Sequence, residues 1–301
     1  MSKAVIEMGT NTTRLLIAEQ QEQKIKELKK DLITTRLGEG VDSNKTLSEN
    51  AIKRGLKALK SLQREIDQYE VSSVKLVGTS ALRDVNNADK FQKLIKEEIG
   101  YDLEIISGHK EAELILKGVT YGYNYSDYLI IDIGGGSTEF IWKSEEDKKT
   151  KMDSLNIGAV RLTERFIDNP HQEWSRSDIK NIAEYVEQEL EKELDILPGV
   201  QNLIGVGGTI TTLAAILLKL EEYDQQAIHD YILNYPDINK VLDRLRKLDL
   251  EKRKKVKGLN PDRADIIIAG IVILNEIMKT LRTLKLRVSD YDILHGLIIE
   301  S

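Results

Sequence analysis

The stretch AVIEMGTNTTRLLIA, residues 4–18, is an apolar run, an acid, a glycine-containing turn and a second apolar run. LIIDIGGGSTEFIW, residues 129–142, repeats the arrangement. Each sets an acid at the end of an apolar strand (Glu7, Asp132) and a glycine two residues on (Gly9, Gly134). Each then has a hydroxyl three residues further (Thr12, Ser137). Apolar β-rich runs on either side of a turn signal read as hairpins. Glycine lets the backbone approach a phosphate closely, and successive N–H groups in such a turn form an anion-binding concavity. Either hairpin alone is explained by tight-turn chemistry. Two copies in register, 125 residues apart, are hard to explain that way, and they predict two α/β domains of related topology. The expected boundaries are 1–125 and 126–301, with the last helix free to pack back on the first domain.

The periodicity outward from the first hairpin supports this division. KIKELKK and DLITTRL add short strands. Ser48 reads as an N-cap, and Ile52, Leu56, Leu59, Leu62 and Ile66 follow at helical spacing, which predicts a helix over 49–69. A strand at 74–77, a loop carrying Arg83, a helix over 87–98, the strand DLEIISG and the helix HKEAELILKGVTYG complete the first half. In the second half KMDSLNIGAVRL predicts a strand and a turn. Helices are expected over 175–194, 237–248 and 261–284, and the charged KSEEDKKTK at 143–151 an exposed hairpin tip. LIGVGGTITTLAA ends a strand at Val206 and starts a helix near Thr209. Gly205, Gly207 and Gly208 make room and Thr209 is placed to cap that helix; a free helix N-terminus attracts anions.

Composition narrows the function classes. The 301 residues are 41% hydrophobic and 31% charged, as in globular domains. There is no run of about 18 apolar residues, so no membrane span is expected. The start MSKAVIEM lacks the apolar core of a signal peptide, and zero cysteines exclude a disulfide framework, a thiolate metal site and a cysteine nucleophile. A cytoplasmic address is expected. A net charge of −6 argues against a footprint for duplex nucleic acid. EKRKKVKG at 251–258 is the one basic run, either a solvated helix end or a local track for a polyanion. His109, His171, His229 and His295 are scattered without metal-ligand spacing.

The ordered series of motifs carries a family resemblance. After the first hairpin come GTSALRDVNNADKF, IISGHKEAEL, IDIGGGSTEF, LNIGAVRLTERF, GVGGTITTLAA, NPDRADIIIAGIVIL and VSD. This series resembles the Ppx/GppA family of exopolyphosphatases and guanosine pentaphosphate phosphohydrolases, over essentially the whole chain, in its short two-domain form. The resemblance implies two ribonuclease-H-like domains of the actin/hexokinase/Hsp70 superfamily with an interdomain cleft. It implies that Glu111 activates the attacking water, and that Asp132 and Glu139 support catalysis and Mg²⁺ (or Mn²⁺) binding, with Glu7 as a further catalytic and metal-ligating acid. Gly134, Gly135, Gly136, Ser137 and Thr138 match the second phosphate loop; Asn11 and Thr12, flanked by Gly9 and Thr10, match the first. Arg83 and Arg263 match two family arginines. Arg14 and the Gly207–Gly208–Thr209 turn are added as phosphate-binding candidates from their own chemistry, since a guanidinium suits phosphate bidentately.

The expected activity is hydrolysis of terminal phosphate from linear polyphosphate. The alternatives are a 5′-phosphohydrolase of pppGpp and a weakly active sensor of polyphosphate or nucleotide; a sugar kinase of the same superfamily would need an adenosine pocket that no motif identifies. No duplex nucleic acid or membrane is expected as partner, and a homodimer fits such a family. Four departures from the family pattern stand out. Glu7 occupies a position where aspartate is usual, and in VSDYDILHG Asp292 replaces glycine and His295 replaces glutamate. Lys110 replaces the first of the family's two adjacent acids, of which Glu111 is the second.

Overall fold

The computed structural model describes residues 1–21, 24–121, 123, 127–143, 149–193 and 202–301. The chain divides into two units, Met1–Asn124 with Tyr291–Ser301, and Tyr125–Asp290. The residues around the expected boundary, 124–126, and most of the charged tip, 144–148, lie outside the described residues.

Unit 1 is built on a five-stranded sheet. β1 (Ser2–Met8), β2 (Thr12–Gln21) and β3 (Lys24–Thr34) form an antiparallel meander. β4 (Val71–Gly78) and β5 (Leu103–Ile105) lie parallel, giving the order β3-β2-β1-β4-β5. Parallel neighbours need crossovers, which the helices Glu49–Ile66 and Ala88–Ile99 supply. Ser48 caps the first of these, its hydroxyl accepting from Ala51 N at 3.1 Å. Side chains alternate across a strand. Ala4, Ile6 and Met8 therefore join Leu56, Leu59, Leu62, Phe91 and Ile95 in one core, and Glu7 falls on the opposite face. That face is covered by the helices Gly108–Val119 and Ile293–Glu300. Glu300 ties the terminal helix down, accepting from Lys75 at 3.3 Å and from Lys110 and Lys117 at 2.6 Å each. The lysine at 110 thus has a structural partner.

Unit 2 repeats the plan. β6 (Tyr128–Ile133), β7 (Thr138–Lys143) and β8 (Lys151–Leu155) are an antiparallel meander. β9 (Leu203–Val206) lies parallel to β6, β10 (Ile232–Asn234) is an edge strand, and β11 (Lys285–Val288) lies parallel to β9. The order is β10-β11-β9-β6-β7-β8. Both sheets share the succession third-second-first-fourth of a ribonuclease-H-like domain; in unit 1 the fifth strand follows, and in unit 2 the sixth, β11, with the fifth, β10, at the edge. The helix Ile267–Thr280 is buried from Ile267 through Asn275 and is the spine of the core, as a helix apolar all round must be.

Three local expectations change. Arg83 ends a short helix, Ser80–Arg83, where a loop was expected. The segment after β8 is a helix, Ala159–Phe166, where a turn was expected. Eight residues are too short to show clear periodicity, and the helix is held by tertiary bonds, with Ala159 N and Val160 N donating to the carbonyls of Gly134 and Gly135 at 2.9 and 2.8 Å. The helix Gly207–Leu218 begins at the glycines themselves. Thr209 is therefore inside the first turn, buried against Gly270, and caps nothing.

Candidate functional site

The two hairpins have the same register but opposite electrostatics. In unit 1, Glu7 on β1 faces Arg14 on β2. In unit 2, Asp132 on β6 faces Glu139 on β7. Directly opposed side chains on one face interact, so the first acid is paired with a cation and the second with another acid.

In unit 1 the Arg14 Nε–H donates to Glu7 Oε2 at 2.6 Å, and its Nη1 pairs with the Asp292 carboxylate. The loop after β1 is drawn onto Thr35–Gly38. Asn11 O accepts from the amides of Thr35 and Arg36 at 3.0 and 2.8 Å, and Thr10 O from Gly38 N at 2.8 Å. The Asn11 Nδ2 amide and the Ser80 hydroxyl are buried and have no hydrogen-bond partner among the described residues. Both are donors at the C-terminal ends of β1 and β4, where an incoming anion would satisfy them. Thr12 is also buried there.

Glu111 lies in the first turn of the helix Gly108–Val119, whose start is fixed by Ser107 accepting from Lys110 N. The carboxyl is buried, at 7% exposure, and accepts from Arg83 Nη1 at 2.6 Å. The same Nη1 donates to Ile106 O at 3.1 Å, which aims the guanidinium. Burial pushes the Glu111 carboxyl up to about 7 despite the opposing charge and hydrogen bond of Arg83; Glu7 pushes the same way and Arg14 against. A carboxylate poised near neutrality suits a general base.

In unit 2 the glycine loop is fastened from behind. Gly134 N donates to Ser137 O at 3.0 Å, and Arg161, buried in the helix Ala159–Phe166, donates from Nε to Gly136 O at 2.7 Å. Asp132 and Arg263 meet at the start of the helix Gly207–Leu218. Gly207 has φ +85°, and a Cβ there would stand 2.2 Å from Asp132 Oδ1; a Cβ at Gly208 would stand 2.0 Å from the Arg263 guanidinium. Only glycines allow the carboxylate and the guanidinium to lie against this helix end, whose N–H groups favour anions.

Several predicted ligands have structural partners instead. The Ser137 hydroxyl donates to Glu139 at 2.7 Å and Ser154 donates to the same oxygen at 2.9 Å. The Thr138 hydroxyl donates to Ile157 O at 2.6 Å. Glu139 is 1% exposed and held by those two hydroxyls. Among the described residues no three carboxylates or histidines converge as a metal-ligand set. Glu7 is bound to Arg14. A hard cation that keeps its waters needs as little as one carboxylate plus substrate oxygens, and Asp132 is the carboxylate that could hold one.

One member of the basic run belongs to the core, and three of its lysines have acidic neighbours on the surface. Arg253 is fully buried, donating to the carbonyls of Gln172, Ala264 and Leu248 and lying 5.8 Å from the Trp174 ring. Lys252, Lys254 and Lys257 pair with Asp249, Glu251 and Glu221. Of the histidines, His109 and His171 are exposed, and His229 accepts from Asp290 N at its Nδ1. Among the described residues no helix is long and apolar enough to cross a membrane. Sequence reasoning passed over Arg161, whose only signal is an arginine in GAVRL two residues into a short helix.

Comparison with known proteins shows the family. The sequence model of the Ppx/GppA phosphatase family matches residues 16–301. The bifunctional 3-dehydroquinate synthase/phosphatase of Fusobacterium nucleatum is 39% identical over 99% of this chain, which spans 46% of that protein's length. Exopolyphosphatase 2 of Mycobacterium tuberculosis is 31% identical, with 98% of this chain and 97% of that protein aligned. Among solved structures, the Ppx/GppA family member of Aquifex aeolicus is 32% identical, covers 100% of this chain and 97% of its own, and superposes with a TM-score of 0.81. An exopolyphosphatase from Cytophaga hutchinsonii, 31% identical, covers 99% of this chain and 97% of its own, with a TM-score of 0.89. With its paired ribonuclease-H-like sheets and its motif series, this chain belongs to the Ppx/GppA phosphatase family.

Proposed function

We propose that the protein is an exopolyphosphatase, releasing terminal phosphate from linear inorganic polyphosphate by attack of an activated water. The observation that carries this reading is Glu111, a buried carboxyl held by Arg83 and pushed up to about 7. Hydrolysis of a phosphoanhydride needs a positioned water, a base, and donors around the transferred phosphoryl group. Glu111 takes the water's proton, and Arg83 fixes the carboxylate so that one oxygen stays directed. Unit 2 carries the anion-binding groups: the helix start at Gly207–Gly208, the Arg263 guanidinium, and the amides of Gly134–Gly136, whose loop Arg161 holds. Asp132 would hold Mg²⁺ or Mn²⁺, which would supply charge neutralisation on the phosphate oxygens when bound.

Similarity to a protein named an exopolyphosphatase, 31% identical, is what favours polyphosphate; the guanosine-5′-triphosphate,3′-diphosphate pyrophosphatase of Vibrio atlanticus is 29% identical, so pppGpp is the alternative substrate to test. Phosphate release is measured on polyphosphate and on pppGpp in one buffer with Mg²⁺ or Mn²⁺. Faster turnover of polyphosphate, lost in Glu111→Gln, supports the reading. Preference for pppGpp transfers the chemistry to the nucleotide, and tight polyphosphate binding with no turnover on either makes the protein a sensor.

A further inference from the structure

Within unit 1 an unbroken chain of polar contacts leads away from Glu7. Arg14 bridges two buried carboxylates, Glu7 at 2.6 Å and Asp292. Asp292 stands at the N-cap of the helix Ile293–Glu300, with Oδ1 accepting from Leu294 N at 3.0 Å and Oδ2 facing Arg14. Its backbone N–H donates to His295 Nδ1 at 3.2 Å, completing a capping box. That bond leaves His295 Nε2 to donate to Glu27 on β3, 3.0 Å away. The His295 ring is fully buried and stacked on Tyr291, with centroids 4.2 Å apart and planes 17° from parallel. The chain Glu27–His295–Asp292–Arg14–Glu7 therefore links β3, the terminal helix, β2 and β1.

Each link has fixed geometry, so the network can orient its end member. The capping box fixes the backbone of Asp292, the stacked ring fixes the box, and Glu27 fixes the ring. Asp292 thus presents one oxygen to its own helix and the other to Arg14. The guanidinium is planar with its donors in a rigid fork. Holding Nη1 on Asp292 sets the direction in which Nε meets Glu7. From the terminal helix we infer that Asp292 is a positioning residue, orienting Arg14 and through it the Glu7 carboxylate. This rests on the hydrolase reading above only for its effect on rate; the orientation itself is a property of the ligand-free protein.

Asp292→Asn separates positioning from packing. Asparagine caps a helix as well as aspartate does, so a role in capping alone tolerates it. A positioning Asp292 does not, because the carboxylate charge that faces Arg14 is gone. For Asp292→Asn the expected result is a fall in kcat on polyphosphate of roughly tenfold, the weight of one charge-assisted bond, with KM within about twofold. Arg14→Ala is expected to fall further, and Arg14→Ala/Asp292→Asn no further than Arg14→Ala alone. Independently of activity, the Arg14 Nε–H proton resonance, assigned by its loss in Arg14→Lys, is expected to exchange slowly in the wild-type protein and fast in Asp292→Asn. Unchanged kcat with unchanged exchange in Asp292→Asn overturns the inference. So do additive losses in the double variant. Absence of turnover in the wild type, with the exchange difference intact, removes the hydrolase reading and leaves the positioning network standing.

Discussion

Replacing Glu111 by glutamine tests the base and its environment together. The wild-type carboxyl ionises at about 7 in the fold, against an ordinary value of 4.5. The folded protein therefore keeps a proton that the unfolded chain has lost between those two values. Stability falls as pH rises through that window and levels off above it. At 1.36 kcal/mol per pKa unit, the whole loss amounts to roughly 3 kcal/mol. Glutamine still accepts from Arg83 but does not titrate. Urea unfolding in metal-free buffer at pH 4 and pH 8.5 should show the stability of Glu111→Gln gaining on the wild type by that amount at the higher pH. Groups remote from Glu111 cancel in the comparison. The same variant should lose about 10²–10⁴-fold in kcat, the usual contribution of a general base. The wild-type kcat/KM should rise with pH, with an inflection near 7, because the protonated acid accepts no proton. A stability difference that does not move with pH refutes the burial argument, and turnover surviving in Glu111→Gln refutes the base.

Shortening Glu7 to aspartate draws its carboxylate back by about 1.5 Å from an Arg14 contact now at 2.6 Å; steady-state kinetics should show Glu7→Asp losing activity in this chain, and a gain would contradict the paired geometry. Gly208→Ala sets a methyl 2.0 Å from the Arg263 guanidinium, which must swing away; calorimetric titration with inorganic phosphate should show affinity falling about tenfold or more with the thermal midpoint little changed. Arg253→Met leaves three carbonyls without their donor, and at about 1–3 kcal/mol for each unsatisfied group urea unfolding should show a loss of roughly 3 kcal/mol or more. Alanine at Lys252, Lys254 and Lys257 together should change KM for polyphosphate less than about twofold, since each lysine pairs with a neighbouring acid.

Much of the fold was legible in the residues because local rules and tertiary packing agree there. Ser48 caps the helix its side-chain chemistry announces, and the apolar period from Ile52 to Ile66 is the buried face of Glu49–Ile66. The two hairpins appear where acid, glycine and hydroxyl recur in step. Agreement failed where long-range bonds override propensity. Ala159–Phe166 is helical because the glycine loop accepts its first amides, and Thr209 lost its capping role because Gly207, at positive φ, lets the helix begin two residues early.

The sequence by itself determined the repeated α/β plan, the family, and the residue types able to bind phosphate and activate water. These follow from periodicity, turn chemistry and motif order, all local along the chain. The tertiary structure alone decided which side chains are committed to one another. Glu7 and Asp292, far apart in sequence, share one arginine; Arg83 reaches Glu111; Ser137 and Thr138 turn inward; and Arg253 leaves the basic run for the core. Burial sets these choices. A charged or hydroxyl group removed from water must find a partner, and only the folded chain fixes which partner lies within reach.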